Sequence, residues 1–151
     1  MADVDEALAR AGLVPLGEEG TQEEVLATWH PFWLGSAVPT VRVPDDDQAM
    51  AEVARSFTAL ADELGLMDAG GEFLIAVATG SGRLGPWIRV RASGPLQVES
   101  LGEHPGSPEF LATSIDRSVA IAVDTEEGDF WILDNRGAGP GGATTEQARD
   151  A

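Results

Sequence analysis

The clearest helical pattern of apolar and polar positions lies between Asp46 and Leu64. Its apolar side chains fall on one narrow stripe when about 100° is taken per residue. They are Met50, Val53, Phe57, Leu60 and Leu64. The aspartates 45–47 supply a cap and favourable charge at the start, and Gly65 is the expected left-handed stop. We therefore predict a long amphipathic helix that packs on a sheet.

Two shorter helices are predicted before this one. The first spans about Val4 to Ala11, with acidic residues near its start and Gly12 as its stop. The second begins at a capping box, because Thr21 is followed three residues later by Glu24, and Pro31 ends it. These two helices precede every clear strand pattern.

The apolar period changes to two in the second half of the chain, which is typical of strands. The segment from Phe73 to Thr79 is apolar on both faces and predicts a buried strand, whereas Trp87 to Ala92 alternates. Between two later strands, Glu126 to Asp129 form a hairpin turn in which Gly128 takes a positive φ. The other predicted strands are Thr40 to Val43, Leu96 to Leu101, Phe110 to Ile115, Ser118 to Asp124 and Phe130 to Asp134.

The order of these elements predicts an α+β fold. Strands joined by short turns, without intervening helices, form antiparallel sheets. We expect two short N-terminal helices and one long amphipathic helix packed on a mostly antiparallel sheet of five to six strands. Residues 1–135 are predicted to form a single domain, and the Gly-rich and then polar residues 136–151 a disordered tail.

Composition adds a strong charge imbalance. The chain has 26 acidic residues against 9 basic ones, a formal net charge of -17, and all the basic residues are Arg. Such a chain repels nucleic acid and anionic membrane surfaces, so we expect a basic protein partner and no direct nucleic-acid or membrane binding. Arg without Lys is typical of a GC-rich bacterial genome, and a salt-adapted proteome is the other origin that suits this acidity.

The absence of Cys, Lys and Tyr narrows the chemistry further. Disulfides, thiolate metal sites, cysteine nucleophiles and Schiff-base chemistry are excluded, and we expect no cofactor and no metal site. No apolar run approaches the ~20 residues of a membrane span, and the N-terminus is acidic where a signal peptide is basic. We therefore expect a cytoplasmic protein.

A glycine-rich motif follows the buried strand. Residues 80–85 match GxGxxG, the pattern of a dinucleotide-binding loop. That loop must open a helix whose N-terminal amides hold the pyrophosphate, but Pro86 and the strand pattern from Trp87 follow instead. The motif is interpreted as a hairpin connection.

Three arginines lie in the span between Glu72 and Glu99, which contains no acidic residue. Arg89 and Arg91 share one strand face about 7 Å apart, and Arg83 precedes them. These arginines either bind an anion such as a carboxylate or phosphate, or pair with carboxylates of the chain itself, and the second interpretation is favoured.

The two histidines are the remaining candidates for acid–base chemistry. His30 follows Trp29, and His104 lies in a loop near Ser107. Either is a possible general base, but no GxSxG motif is present and Ser107 lies in ordinary turn sequence. We assign no catalytic residues and expect a protein that is not an enzyme.

Aromatic and acidic residues supply the candidate partner contacts. Trp29, Phe32 and Trp33 crowd a short stretch, and they either join the N-terminal helices to the sheet or leave an exposed anchor. Under the second interpretation, Phe32 and Trp33 contact the partner. The hairpin residues Glu126, Glu127 and Asp129 are either a solvated turn or a contact for a basic surface.

These observations favour a small acidic protein-binding domain, such as an inhibitor, an immunity-type protein or a chaperone for a basic partner. Acidic helices followed by strands that end in an acidic hairpin loosely resemble small bacterial immunity proteins, a likeness limited to that hairpin and the charge. Two alternatives stay open: a ligand-binding domain or enzyme that uses the arginines and a His, and a structural subunit of a phage or other assembly.

Overall fold

Helices cover both faces of one antiparallel sheet in the computed structural model, which describes residues 2–33, 38–78 and 83–136. Within these ranges the sheet has seven strands in the order β1-β4-β3-β5-β6-β7-β2. The helices are α1 (Ala2–Arg10), α2 (Gln22–Trp29) and α3 (Ala49–Leu64), and a 3₁₀ turn (His30–Trp33) follows α2. The strands are β1 (Leu13–Gly20), β2 (Val41–Pro44), β3 (Glu72–Val77), β4 (Trp87–Ala92), β5 (Phe110–Thr113), β6 (Ala120–Glu126) and β7 (Asp129–Asp134).

The interior strand β3 separates two hydrophobic cores, because its side chains alternate between the faces of the sheet. Phe73 and Ile75 lie in the larger core, which also contains the apolar residues of α1 and α3. Leu74 and Ala76 lie in the smaller core under α2 and the 3₁₀ turn. The predicted buried strand is confirmed for Phe73 to Val77, and Thr79, its predicted end, lies outside the described residues. Both faces of the strand are apolar because helices pack on both sides of the sheet.

The long helix forms nearly as predicted. Val53 and Phe57 are fully buried on its inner side, and Gly65 ends it with φ 74°. Its start differs from the prediction: α3 begins at Ala49, and Asp46 accepts a hydrogen bond from the backbone N–H of Gln48 at 2.9 Å. The aspartates therefore shape the turn before the helix and do not cap it.

The two shorter helices are also found. At the start of α2, the Thr21 hydroxyl accepts from the Glu24 backbone N–H at 3.1 Å, and a Glu24 carboxylate oxygen accepts from the Thr21 N–H at 3.0 Å. The predicted capping box is confirmed. Pro31 lies in the 3₁₀ turn that continues α2, and this turn places Phe32 in the smaller core.

Two strand predictions need correction. Leu96 to Leu101 has no strand structure, whereas Leu13–Gly20 forms the edge strand β1 and pairs with β4. Five strands follow α3, and β1 and β2, which precede α3, form the two edges of the same sheet, so the described part of the chain has seven strands instead of five to six. Pro15 and two register shifts interrupt β1, so it lacks the alternation that identifies a strand in a sequence.

The predicted tail is described only at its first residue. Arg136 donates to Asp134 from its backbone N–H at 2.9 Å and from its guanidinium at 3.1 Å, and it reaches Glu63 of α3 at 2.9 Å. Burial alone would raise the pKa of Asp134, but hydrogen bonds from Arg136 and Thr40 outweigh it and hold this pKa below its ordinary value. Residues 137–151 lie outside the described ranges.

Candidate functional site

Two acidic segments that are distant in sequence meet at one end of the sheet. Pro44 pairs with Asp129, and the Asp45 backbone N–H donates to the Gly128 carbonyl at 3.3 Å. Asp45 therefore adjoins the tip of the β6–β7 hairpin, and Asp46 and Asp47 follow it in the turn before α3. We call this region the acidic end. Its carboxylates are Asp45, Asp46, Asp47, Glu103, Glu109, Asp124, Glu126, Glu127 and Asp129.

A row of side chains crosses four strands at the acidic end. Asp124 of β6 is opposite Trp131 of β7, and Trp131 is opposite Arg42 of β2. Glu109 directly precedes β5 and lies beside Asp124. The row continues the sheet face that bears the smaller core, and Trp131 packs against that core. It joins carboxylates and an aromatic ring on one surface.

Burial and neighbouring negative charges raise the pKa values of the carboxyl groups in this row. Burial, a hydrogen bond with Glu126 and the negative charges of Glu109 and Glu126 raise the pKa of Asp124 to about 8. Burial, followed by the charges of Glu103 and Glu126, raises the pKa of Glu109. Among the described residues, no arginine forms an ion pair with any of these carboxyls. A cation placed here would lower these raised pKa values, because it favours the charged form of the carboxyls.

Arg42 is the cation nearest this surface in the described part of the chain. Its guanidinium carbon lies 5.0 Å from the centroid of the Trp131 ring, and its Nε lies 3.7 Å from a carboxylate oxygen of Asp129. The indole Nε1 of Trp131 donates to the other oxygen of Asp129 at 3.1 Å. The arrangement shows how a guanidinium is accommodated at the acidic end.

The acidic hairpin has the predicted geometry. Glu126 is opposite Asp129 at the end of the β6–β7 pair, and Gly128 has a φ of 87°. Glu127 is exposed at the tip, while Glu126 and Asp129 are partly buried. The hairpin is thus continuous with the row behind it, a relation that sequence spacing does not reveal.

The aromatic cluster divides between core and surface. Phe32 is 4% exposed and lies in the smaller core, so it has no surface to offer a partner, which corrects its assignment as a partner contact. Trp33 is partly buried against that core and its ring centroid lies 5.2 Å from that of Trp29. These positions match the interpretation in which the cluster joins the N-terminal helices to the sheet.

The three arginines of the acid-free span have different environments. The Arg89 Nε donates to Glu72 at 2.7 Å, and its Nη1 lies 3.2 Å from Glu19 of β1. Arg89 is therefore paired within the chain, as the favoured interpretation expects. Arg91 lies on the same face and is exposed, and Arg83 is exposed beside the β3–β4 connection.

Arg117, in the turn between β5 and β6, was not singled out by the sequence. It has a positive φ of 67°, which is unusual for a residue with a side chain. Its guanidinium lies 5.9 Å from the centroid of the Trp87 ring and donates to the Glu19 carbonyl at 3.4 Å. The carbonyl of Glu19 therefore contacts Arg117, and its carboxylate contacts Arg89. Two arginines of this positive region thus have partners within the chain.

Neither of two surface grooves within the described residues joins a histidine to the arginines of the acid-free span. His30 and His104 are exposed. One groove of about 470 Å³ lies between α3 and the edge of the sheet near Leu13 and Leu96, and another of about 500 Å³ lies beside Gly65 and the β5–β6 turn. Neither groove is lined by a histidine or by one of the three arginines of the acid-free span.

The glycine-rich motif lies partly outside the described residues, which resume at Arg83. The backbone N–H of Gly85 donates to the Val77 carbonyl at 3.0 Å, and Trp87 begins β4 directly afterwards. The strands on either side are antiparallel neighbours. The motif therefore connects a hairpin, as interpreted from the sequence, and no helix follows it.

Among residues 2–33, 38–78 and 83–136, no three His, Asp or Glu side chains are arranged to hold a metal ion. No helix in these ranges is long and apolar enough to cross a membrane. Comparison with family models, with curated proteins and with solved structures gives no match for this chain.

Proposed function

We propose that this chain is a binding domain for a basic protein partner, acting without catalysis as an inhibitor, an immunity-type protein or a chaperone. The observation that carries the proposal is the convergence of carboxylates at the acidic end, where Glu109, Asp124 and Glu126 are half-buried together. A protein that needs acidity only for solubility can spread its carboxylates in water. Here several are held against one another and partly removed from water, at a cost in stability.

The distribution of the arginines supports the same proposal. Arg89 and Arg136 each contact two carboxylates of the chain, away from the acidic end. At the acidic end, Asp129 is the one carboxylate among the described residues with which Arg42 forms an ion pair, and this pair is long, at 3.7 Å. Eight of the nine carboxyls of the acidic end therefore have no arginine partner among the described residues, although carboxyls without such a partner also occur elsewhere on the chain. Such a surface attracts a basic protein over a distance and accelerates its association.

The surface also has features beyond charge. Trp131 supplies an aromatic ring that is partly exposed within the row of carboxyls. Interfaces are enriched in such rings surrounded by polar residues, because the ring gives a large contact area with little conformational entropy to lose. We infer that Trp131, Glu126, Glu127 and Asp129 are the central contacts. We infer that Trp33, which packs against the same core as Trp131, is a further contact.

Replacing Glu126 and Glu127 with Gln is expected to abolish the salt-sensitive capture of a basic protein. The immobilised wild-type chain is exposed to an extract of its source cells at low and at moderate salt, and retained proteins are identified by mass spectrometry. The wild type retains a basic protein at low salt, and the double variant retains at least about tenfold less, because two charges of the contact surface are lost.

The matched control is the double variant Asp5→Asn, Asp62→Asn, which removes the same charge from exposed positions on α1 and α3. It is expected to behave like the wild type, and thermal melting confirms that both variants are folded. Equal loss of capture in the two double variants would show that capture depends on net charge and not on the position of the carboxylates. Retention of the same protein by the E126Q/E127Q variant would refute the acidic end as the contact surface.

A further inference from the structure

The contact between Arg42 and Trp131 suggests which chemical group the partner presents. The guanidinium of Arg42 lies over the indole ring, 5.0 Å from its centroid. Asp129 is oriented by the Trp131 indole N–H, which leaves its second carboxylate oxygen facing Arg42 at 3.7 Å. A planar cation over an aromatic face with a carboxylate at its edge is the arrangement that proteins use to bind arginine.

Arg42 is held loosely in this position. Its side chain is 58% exposed, and its contact is the longest of the arginine–carboxylate pairs within the described ranges. Exposed ion pairs and exposed cation–π contacts each contribute at most about 1 kcal/mol. In contrast, Arg89 contacts two carboxylates, one at 2.7 Å. A competing guanidinium can therefore displace Arg42 at small cost.

A cation that arrives from solvent has more carboxyls within reach at this site than the one with which Arg42 pairs. On β6, Asp124 is opposite Trp131 and Glu126 is opposite Asp129, so further carboxyls border the same ring and the same carboxylate. Arg42 belongs to the edge strand β2 and approaches from the other side of Trp131. The β6 carboxyls therefore lie on the side of Trp131 opposite to Arg42, where they can contact a side chain that arrives from solvent.

We propose that Trp131 and Asp129 form a guanidinium-binding subsite, which Arg42 occupies in the free protein and which an arginine of the basic partner takes over. This inference rests on the proposed function and specifies the partner's contact group. Arginine is preferred over lysine here, because a guanidinium stacks on the ring while its N–H groups reach the carboxylate, whereas an ammonium does so poorly. Arg42 then acts as an internal competitor that weakens binding of poorly matched cations.

The test uses hexa-arginine and hexa-lysine peptides as probes, with affinities measured by calorimetry at low salt. The indole N–H resonance of Trp131, assigned by its loss in Trp131→Phe, reports on the ring. Arg42→Gln is expected to bind hexa-arginine at least about threefold more tightly than the wild type, because the competitor is gone. Hexa-lysine should gain less, and the Trp131 resonance should shift more with hexa-arginine.

Arg10→Gln is the matched control, because it removes the same charge from an exposed ion pair on α1. Its affinity for hexa-arginine is expected to change less than that of Arg42→Gln. Equal gains in these two variants, or equal responses to the two peptides, would overturn the subsite. The proposed function has its own test, and it is refuted if Glu126 and Glu127 are not needed to capture a basic protein. That result would not change the affinities measured with the two peptides.

Discussion

Replacing Trp87 with alanine is expected to lower the free energy of unfolding by about 3–5 kcal/mol. Trp87 is fully buried and belongs to the smaller core. Its ring atom Cδ1 lies close to Gly20, where a Cβ would be only 2.7 Å away, and Arg117 lies over its ring. The indole thus joins β4 to β1 and to the β5–β6 turn, and its loss leaves a cavity among them. Urea unfolding followed by circular dichroism measures the change.

Replacing Trp87 with phenylalanine separates packing from hydrogen bonding. The Nε1 of Trp87 is buried and has no hydrogen-bond partner among the described residues, so removing this N–H relieves an unsatisfied donor. We expect Trp87→Phe to cost about 1 kcal/mol or less, and Trp29→Ala, at a partly exposed position, to cost less than Trp87→Ala. A cost for Trp87→Phe that equals that of Trp87→Ala would contradict this account.

The elements that the sequence predicted well are those whose information is local. The apolar stripe of α3, the stop at Gly65 and the capping box at Thr21 each depend on residues within a few positions of one another. The β6–β7 hairpin is of the same kind, because a short acidic turn with Gly128 fixes the pairing of its flanking strands. Local rules do not require knowledge of which strands are neighbours.

The sequence does not predict the strand β1, because its apolar pattern is irregular. For this reason the sequence also does not show which acidic residues lie next to the arginines of β4. In the sequence, Glu19 is distant from the acid-free span. In the structure β1 pairs with β4, so Glu19 reaches Arg89 from one side while Glu72 reaches it from the other. A span that contains no acidic residue in sequence is therefore bordered by acids in space. Only the strand order reveals this pairing.

The acidic end was missed for a related reason. Each of its segments has an adequate local explanation: the aspartates 45–47 precede a helix, and Glu126 and Glu127 occupy a turn. Their convergence depends on the pairing of β2 with β7, which brings Pro44 opposite Asp129. Pairing between strands distant in sequence is not encoded in the spacing of either one. The net charge of -17 predicts a basic partner, and the topology shows where carboxyls converge, which is the surface that we propose for that partner.

The carboxyls of the acidic end are expected to make stability depend on pH. An unfolded Asp has a pKa near 3.9, whereas burial and neighbouring carboxyls raise the pKa of Asp124 to about 8 in the folded protein. Between these values the folded chain retains a proton that the unfolded chain has released. Stability therefore falls as pH rises from about 4 to about 8, and the penalty is complete above the folded pKa. Glu109, whose pKa is also raised, contributes with the same sign.

Asp124→Asn is expected to remove most of this dependence, because a neutral amide has no proton to release. At about pH 8 the variant should be more stable than the wild type by about 1–3 kcal/mol, and at about pH 4 the two should be nearly equal. Urea unfolding across this range measures the slope. Asp116→Asn is the control: hydrogen bonds from Ser118 and Ser114 lower the pKa of Asp116 to about 2, so it stays ionised in both states over most of this range. If the free energy of unfolding of Asp124→Asn depends on pH as steeply as that of the wild type, the buried carboxyl is not the source of the dependence. The same conclusion follows if Asp116→Asn weakens the dependence as much as Asp124→Asn does.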